Sequence, residues 1–292
     1  MQKKNVLHSP RLLELKRHRR QVFLSKVLLS ILTFSSVFAL LAYISRFSSF
    51  NISSVEITGN KVIEANTLKS LAEQNIKGKY LWLFPKTNVL FYPKNSIKKE
   101  LRNEFKRLKN INLFIKDKRI LEVSVTEREA LYTWCGENLP EDGTMKEEQT
   151  CYFMDENGYV FDEAPYFSGN VYFRFFGSLS ESYFTPGIFA KIISFKDFLS
   201  KIDPVSLYLK TDEDIEIYLK SNRLPPDAPK IIFKKDFNLE KLSENLEAAL
   251  STEPLLSDFK NKRSSLLYID LRYGNKVYFK FSAQGGSVSD GK

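Results

Sequence analysis

The chain has 292 residues and a formal net charge of +9, and this charge is concentrated at one end. Residues 1–46 contain nine Lys or Arg and a single acid, Glu14, whereas the rest of the chain is close to neutral. A basic segment of this kind indicates the orientation of a terminus, and it argues against a nucleic-acid-binding face on the remainder. Both histidines of the chain, His8 and His18, also lie in this segment.

The residues beyond this segment therefore exclude catalysis by histidine and metal sites with histidine ligands. They contain no GxSxG, P-loop or GxGxxG motif. Acidic clusters such as Asp212, Glu213 and Asp214 are typical of solvated turns. We expect no catalytic residue, no cofactor, no metal site and no small-molecule substrate.

An uncharged run of 18 residues, 27–44, predicts a membrane-spanning helix. About 20 apolar residues cross a hydrocarbon core of roughly 30 Å, and the run extends to 22–45 if Lys26 reaches the interface with its long stem. The basic residues on the N-terminal side indicate a cytoplasmic tail, 1–21, and an extracytoplasmic remainder. The alternative is a cleaved signal peptide, although the exit around Ser45 lacks the usual small-residue cleavage pattern.

Residues 50–128 predict a module with the order strand, helix, helix, strand, strand. Alternation at Val55 and Ile57 ends at Gly59, which indicates a strand and a turn. Two later strand patterns begin at Ile111 and Ile120. Between these strands, apolar residues at helical spacing define the two helices: Ala65, Leu68, Leu71 and Ala72 in the first, and Ile97, Leu101, Phe105 and Leu108 in the second.

Residues 129–282 predict a mainly antiparallel β domain with flanking helices, so that the fold class is α+β. Asn157-Gly158 and Gly274-Asn275 each separate two apolar runs, as in two-residue hairpins. Amphipathic helices are predicted over Phe189–Ile202 and Leu239–Leu250. The last ten residues, 283–292, predict a flexible tail.

Four short motifs follow the apolar run in chain order. They are V-E-I-T-G-N at 55–60, E-R-x-x-x-x-x-W at Glu127, Arg128 and Trp134, D-x-x-G-x-V-F at Asp155, Gly158, Val160 and Phe161, and D-L-R at Asp270, Leu271 and Arg272. With these motifs the chain resembles the FtsQ/DivIB family of bacterial cell-division proteins, in which a membrane helix precedes a POTRA domain, and the match covers about residues 20–282. The chain departs from the family at Glu129 and Ala130, where proline is common, and in a segment resembling an insertion, 136–150.

The resemblance implies a non-enzymatic scaffold of the divisome, located in the bacterial inner membrane at the division septum. Its implied partners are small coiled-coil membrane proteins, FtsB/DivIC-like and FtsL-like, and its implied role is to help regulate septal peptidoglycan synthesis. Two alternatives stay open. One is another POTRA-containing envelope assembly or secretion factor, and the other is a membrane-anchored cell-wall enzyme.

The terminal hairpin is the predicted partner site, since its last strand leaves a sheet edge open for strand addition. Alternation places Val277, Phe279 and Phe281 in the core and Tyr278 and Lys280 on the other face. The alternative is that the hairpin only completes the sheet. The candidate partner-binding residues are Tyr268, Tyr273, Val277, Tyr278, Phe279 and Lys280.

Two further predictions concern single side chains. Cys135 and Cys151 lie at the ends of strand-like segments and are expected to form a disulfide, the alternative being two unpaired buried thiols. Glu127 is expected to be structural, either paired with a basic residue or facing solvent.

Overall fold

The computed structural model describes residues 10–140, 149–167, 171–203, 205–211 and 214–282, which form a mixed α+β structure. The chain divides into two compact units between Glu127 and Arg128, one residue before the boundary expected from the sequence. The expected tail at 283–292 and the centre of the insertion-like segment lie outside the described residues.

The first helix, α1 (Pro10–Ile44), is longer than the predicted span because it includes most of the basic segment. Proline is well suited to a first helical turn, and the Leu, Lys and Arg residues that follow are good helix formers. Within the described part of the chain, Glu14–Ile44 is long and apolar enough to cross a membrane, a property that signal sequences share. At its C-terminal end the Ser45 hydroxyl donates to the Ala42 carbonyl oxygen, 2.8 Å away.

The rest of the first unit has the predicted order of strands and helices, with one short added hairpin. A three-stranded sheet has the order β1-β5-β4, in which β5 is parallel to β1 and antiparallel to β4. The elements are β1 (Ser54–Thr58), α2 (Ala65–Ile76), β2 (Lys79–Tyr80), β3 (Phe84–Pro85), α3 (Lys94–Glu104), β4 (Leu108–Lys116) and β5 (Ile120–Glu127).

The prediction that Leu108 belongs to the second helix is wrong. Helix α3 ends at Glu104, and Phe105 already has an extended backbone with φ of −118°. Leu108 instead begins β4, where it remains buried. Leu108 fits the helical spacing of Ile97, Leu101 and Phe105, and it also fits the first buried position of a strand. In both cases its side chain would be buried in the same core.

One face of this sheet is covered by α2 and α3. Both helices direct fully buried apolar side chains at the central strand, in which alternate residues point to the same core. The main members of this core are Leu68, Ala72, Ile97, Leu101, Leu121 and Val123.

Gly59→Ala is expected to destabilise the first unit. Gly59 has φ of +82°, and a Cβ there would lie 2.2 Å from the carbonyl oxygen of Val125. Left-handed backbone costs alanine about 1–2 kcal/mol, and relieving the contact adds about 1–3 kcal/mol. Hydrogen exchange of the purified chain in detergent, measured on 120–127, gives the loss. Gly78→Ala is the matched control, since Gly78 has φ of +92° with open space around it; equal losses would contradict the prediction.

The second unit is built on one nine-stranded mixed sheet with the order β16-β15-β14-β13-β12-β9-β6-β7-β8. Two short strands, β10 and β11, pair separately. The elements are β6 (Tyr132–Trp134), β7 (Cys151–Met154), β8 (Val160–Ala164), β9 (Phe173–Phe176), β10 (Leu179–Ser180), β11 (Tyr183–Phe184), α4 (Phe189–Ile202), β12 (Val205–Thr211), β13 (Asp214–Leu219), β14 (Lys230–Lys234), α5 (Leu239–Leu250), α6 (Leu255–Asn261), β15 (Leu266–Tyr273) and β16 (Lys276–Phe281).

The expectation of a mainly antiparallel sheet is only partly met. The pairs β14–β15, β9–β12 and β6–β9 are parallel, and the other five pairs are antiparallel. A parallel pair needs a crossover connection, commonly a helix. Helix α4 lies in the chain between β9 and β12, and α5 and α6 lie between β14 and β15.

Helices α4 and α5 cover one face of this sheet. Ile192, Phe195 and Leu246 from the helices pack in one cluster with Ile217 and Phe233 from the strands. The opposite face is more polar and carries a smaller buried cluster around Cys135, Phe176 and Tyr218. Cys135 and Cys151 are joined there by a disulfide with their Cα atoms 4.1 Å apart, so of the two alternatives the structure has the bonded one.

Two of the motifs behind the family resemblance lie side by side in the second unit. The Arg128 guanidinium donates to the buried Asp155 carboxylate at 2.5 Å and stacks 3.8 Å from the ring centroid of Tyr159. The same carboxylate accepts from the backbone N–H groups of Asn157 and Tyr159. These contacts fix the turn of the hairpin, so both motifs have a structural role here. The connection between β7 and β8 has five residues, 155–159, and not the two expected from the sequence.

Glu127, from the same motif as Arg128, is buried at the end of β5 in the first unit. The expectation that it faces solvent is wrong. Its oxygens accept three successive backbone N–H groups, from Lys61, Val62 and Ile63, at 2.7–3.1 Å. Its main partners are thus backbone amides, and the nearby charge of Arg107 adds to their effect.

Candidate partner-binding edge of the large sheet

The predicted partner hairpin forms one edge of the nine-stranded sheet. Strand β16 is last in the strand order and pairs antiparallel with β15 through partners such as Ile269 with Phe279 and Asp270 with Tyr278. In an antiparallel pair, alternate residues of an outer strand direct their N–H and C=O groups away from the sheet. Among the described strands none lies beyond β16, so this row of backbone groups is open.

The predicted alternation along β16 is confirmed. Val277, Phe279 and Phe281 are half-buried and pack against the core beneath α4 and α5. Tyr278 and Lys280 are exposed on the other face. Val277 and Phe279 therefore present only their backbone to a strand added at this edge, because their side chains are used inside the unit.

The other four candidate residues lie together on the open face. Tyr268 is paired with Lys280 across the two strands. The rings of Tyr273 and Tyr278 meet edge to face, with centroids 5.2 Å apart, and both side chains remain exposed. Two exposed aromatic rings held against each other are a rigid apolar surface, and aromatic residues are frequent anchors at protein interfaces.

An ion cluster beside these tyrosines fixes the hairpin to the rest of the sheet. Arg272 donates from Nε and Nη2 to the two oxygens of Asp270, at 2.9 and 2.6 Å. Its Nη1 donates to Asp214 at 2.7 Å. Asp214 is on β13 and Arg272 on β15, so this side chain spans the intervening strand β14.

The cluster stabilises the charged forms of Asp270 and Arg272. Burial alone would raise the pKa of Asp270, but the hydrogen bonds and charge of Arg272 lower it to a value below its ordinary one. Hydrogen bonds to Asp270 and Asp214 raise the pKa of Arg272. Both groups are therefore ionised near neutral pH, and their ion pair holds the terminal hairpin in place at that pH.

Helix α5 contacts the turn of the terminal hairpin from the core side of the sheet. The Asn245 side-chain amide donates to the carbonyl oxygen of Gly274 at 2.7 Å. Leu242 and Leu246 of the same helix are buried in the core that also receives Val277 and Phe279. The edge is thus supported on its inner face while its outer face and its free backbone row stay open.

Sequence reasoning missed the role of Asp214, which it assigned to a solvated turn. In the structure Asp214 pairs with Arg272, and this assignment is wrong for that residue. Its neighbours Asp212 and Glu213 lie outside the described residues. The D-L-R motif does indicate the pairing of Asp270 with Arg272, because it places them two apart on one strand and hence on one face. No local pattern indicates Asp214 as the third member.

Other chemistry is not evident at this edge. Among the described residues, no group of three or more His, Cys, Asp or Glu side chains is arranged to hold a metal ion. What the edge offers is backbone hydrogen bonding, two tyrosine rings and a lysine. No protein-family model matches the chain, and no curated protein matches it.

Proposed function

We propose that the chain is a non-enzymatic scaffold of the FtsQ/DivIB type, anchored in the bacterial inner membrane at the division septum. The open edge at β16, with Tyr278 and Lys280 exposed beside it, is the observation that carries the proposal. The order of strand, helix, helix, strand and strand in the first unit supports a POTRA domain. The four motifs and their order support the family.

The anchor of the scaffold is α1. Its N-terminal side is basic, and the apolar run that follows ends before the sheet of the first unit begins. The positive charge keeps that side in the cytoplasm, and the part of the first unit that follows α1 then lies outside together with the second unit. The chain crosses the membrane once, with its partners in the same compartment as the two units.

The proposed mechanism is strand addition. An extended segment of a FtsB/DivIC-like partner pairs with the free N–H and C=O groups of β16, and main-chain hydrogen bonds supply much of the affinity. Tyr273 and Tyr278 provide an apolar contact for side chains of the added strand, and Lys280 favours an acidic residue beside them. A FtsL-like protein joins through its coiled coil with the first partner, so the scaffold assembles both and helps regulate septal peptidoglycan synthesis.

Tyr278→Ala and Lys280→Glu are each expected to weaken capture of the coiled-coil partner by about 5- to 30-fold, which corresponds to about 1–2 kcal/mol for an interface side chain. Both side chains are exposed, so folding should be unaffected. The measurement is co-purification of membrane partners with the full chain as bait, followed by a titration against the purified partner.

Matched controls lie on other surfaces of the second unit. Tyr166 is 48% exposed, close to the 49% of Tyr278, and it follows the opposite edge strand, β8. Lys191 is exposed on α4, on the helix-covered side of the sheet. Tyr166→Ala and Lys191→Glu should leave capture unchanged. If Tyr278→Ala and Lys280→Glu also bind at wild-type affinity, the site lies elsewhere.

Zymography on peptidoglycan separates the scaffold from a membrane-anchored cell-wall enzyme. The full chain in detergent is expected to leave the gel intact. The part of the chain beyond α1 contains no histidine for a histidine-dependent hydrolase, and the gel also tests for a glycosidase that acts with two carboxylates. A clear band at the position of the chain would refute the scaffold. A fluorescent fusion that failed to concentrate at the septum would refute the proposed location.

A further inference from the structure

The first unit has an apolar surface where α1 ends. The tip of the β2–β3 hairpin presents Leu81 and Trp82, whose exposed fractions are 77% and 89%. A neighbouring loop presents Leu90 and Phe91, also exposed. Together with two exposed rings that directly follow α1, these side chains form what we call the exit patch: Phe47, Phe50, Leu81, Trp82, Leu90 and Phe91.

The hairpin lies along α1 rather than beyond its end. The ring of Phe84 meets that of Phe38 edge to face, with centroids 5.2 Å apart. Phe38 is six residues before Ile44, which is about 9 Å back along a helix that rises 1.5 Å per residue. The Arg46 side chain also donates to the carbonyl oxygen of Leu83 at 3.4 Å. The hairpin therefore reaches a level inside the apolar run.

The second loop is attached at the same place. The Asn88 side-chain amide donates to the carbonyl oxygen of Ser45 at 3.2 Å, and the Val89 N–H donates to that of Phe50 at 2.9 Å. These bonds hold Leu90 and Phe91 next to the helix exit. Both tips of the exit patch are thus positioned by direct contacts with α1 or with the residues that directly follow it.

The backbone of the hairpin tip is strained in a way that keeps these side chains outward. Leu81 and Trp82 have φ of 48° and 58°, in the left-handed region that residues with a Cβ avoid. Strain of this kind persists where the surroundings or a function require it. Glycine would remove it, but glycine would also remove the apolar side chains from the tip.

The segment of the chain that carries both tips of the exit patch is basic, as suits an anionic phospholipid surface. Residues 74–99 contain six lysines and no acid, with Lys79 and Lys86 next to the hairpin itself. The Lys86 ammonium lies 5.7 Å from the ring centroid of Tyr80. Lysine stems lie along apolar surface while their ammonium groups reach phosphate, and tryptophan and tyrosine prefer the boundary between headgroups and acyl chains.

We propose that the exit patch inserts into the interfacial layer of the membrane that α1 crosses, so that lipid is the partner of this surface. The inference rests on α1 being the retained anchor of the proposed function. If Phe38 lies within the bilayer, a hairpin packed on it is surrounded by lipid as well. The hairpin and α1 then form two points of attachment, which set the orientation of the first unit against the membrane surface.

The test uses the two tryptophans of the chain, Trp82 and Trp134. The full chain is reconstituted in vesicles of phosphatidylcholine and phosphatidylglycerol with brominated acyl chains, which quench tryptophan fluorescence on contact. Wild type should lose emission relative to plain vesicles of the same lipids. In Trp82→Phe, brominated lipid should reduce the emission less than in wild type, because residue 82 no longer contributes fluorescence that bromine can quench.

A tryptophan elsewhere on the same unit serves as the matched control. Val62 is 66% exposed and lies beyond the end of β1 that is distant from α1. The variant Trp82→Phe/Val62→Trp should show no quenching beyond that of Trp82→Phe. The substitutions are at exposed positions, so each variant should fold.

Resistance to extraction by alkaline carbonate separates failure of the anchor from failure of the exit patch. A chain that resists extraction and shows quenching through Trp82 supports the inference. A chain that resists extraction, but in which Trp82 is quenched no more than the tryptophan of Val62→Trp, overturns the inference and leaves the anchor in place. The exit patch would then suit a protein partner instead of lipid. A chain that carbonate extracts overturns both.

Discussion

Arg272→Ala is expected to reduce the stability of the second unit by about 2–3 kcal/mol and to loosen the proposed partner edge. Removing one member of a buried ion pair costs 3–5 kcal/mol, and the figure is reduced here because the Arg272 side chain is 31% exposed. The loss arises mainly at Asp270, whose buried carboxylate would keep its charge without the two hydrogen bonds of the Arg272 guanidinium, although the bond from the backbone N–H at position 272 would remain.

Urea unfolding in detergent measures this effect. In a Trp82→Phe background, fluorescence reports only on Trp134, which lies on β6 of the second unit. Asp214→Ala is the first control, because it removes one bond of Arg272 but leaves the pair with Asp270 intact; we expect a loss of about 0.5–1 kcal/mol. The loss for Arg272→Lys should lie between those for Asp214→Ala and Arg272→Ala, because lysine retains the positive charge but lacks the planar guanidinium group.

The double variant Arg272→Ala/Asp270→Ala gives the sharper test. Removing the carboxylate as well relieves the unpaired buried charge, so the double variant should be more stable than Arg272→Ala alone. If the two single losses simply add, the D-L-R motif does not act as one unit. If Arg272→Ala unfolds at the same urea concentration as the wild type, the ion cluster does not stabilise the terminal hairpin and the prediction is wrong.

The features that sequence predicted well are local ones. Alternation along β16 placed Val277 and Phe279 on the core face, and the glycine at 274 marked the turn between the last two strands. These patterns need only the periods of a strand and a helix, and the conformational freedom of glycine in a turn. The ends of elements were less certain, as Leu108 illustrates, because one apolar residue fits the end of a helix and the start of a strand equally well.

The contacts that sequence did not predict join residues far apart in the chain. Arg272 reaches Asp214 across 58 positions, and Glu127 reaches the amides of residues 61–63. The parallel pairs of the large sheet are of the same kind, because their strands are separated in the chain by whole helices or, for β6 and β9, by two other strands. The sequence gives the type of each side chain and the face of the strand or helix on which it lies. Its distant partner depends on the order of the strands in the sheet, which no local pattern encodes.

Glu127 is expected to carry the largest single polar contribution to the first unit. Its carboxylate accepts the N–H groups of Lys61, Val62 and Ile63, and hydrogen bonds to a charged group contribute about 1.5–3 kcal/mol. Glu127→Ala leaves three amides without this acceptor, so we expect a loss of about 3 kcal/mol or more. Glu127→Gln keeps one oxygen but turns an NH₂ group toward an N–H, so its loss should be about 1.5–3 kcal/mol.

Hydrogen exchange on 120–127 in detergent measures both losses. Glu56→Gln is the matched control, because Glu56 lies on β1 of the same sheet but is exposed and makes only a 3.4 Å ion pair with Lys116. A surface pair of this kind contributes about 0–1 kcal/mol. Under the proposed function, a folded Glu127→Gln variant that retains cell division and partner capture would show that the role of Glu127 is structural. A folded Glu127→Gln variant that captured partners but abolished division would indicate a functional carboxylate instead.

The pH dependence gives the sign of the effect. Burial alone would raise the pKa of Glu127, but the three backbone hydrogen bonds and the charge of Arg107 lower it below its ordinary value. A lowered pKa in the folded state means that the stabilisation is fully present above the unfolded-state pKa of about 4.3 and disappears as pH falls through the folded-state value. Exchange protection of wild type should therefore exceed that of Glu127→Gln at pH 7, and the difference should shrink below about pH 4. A difference that stayed constant over this range would show that the charge of Glu127 does not supply the stability, because glutamine cannot titrate and glutamate must.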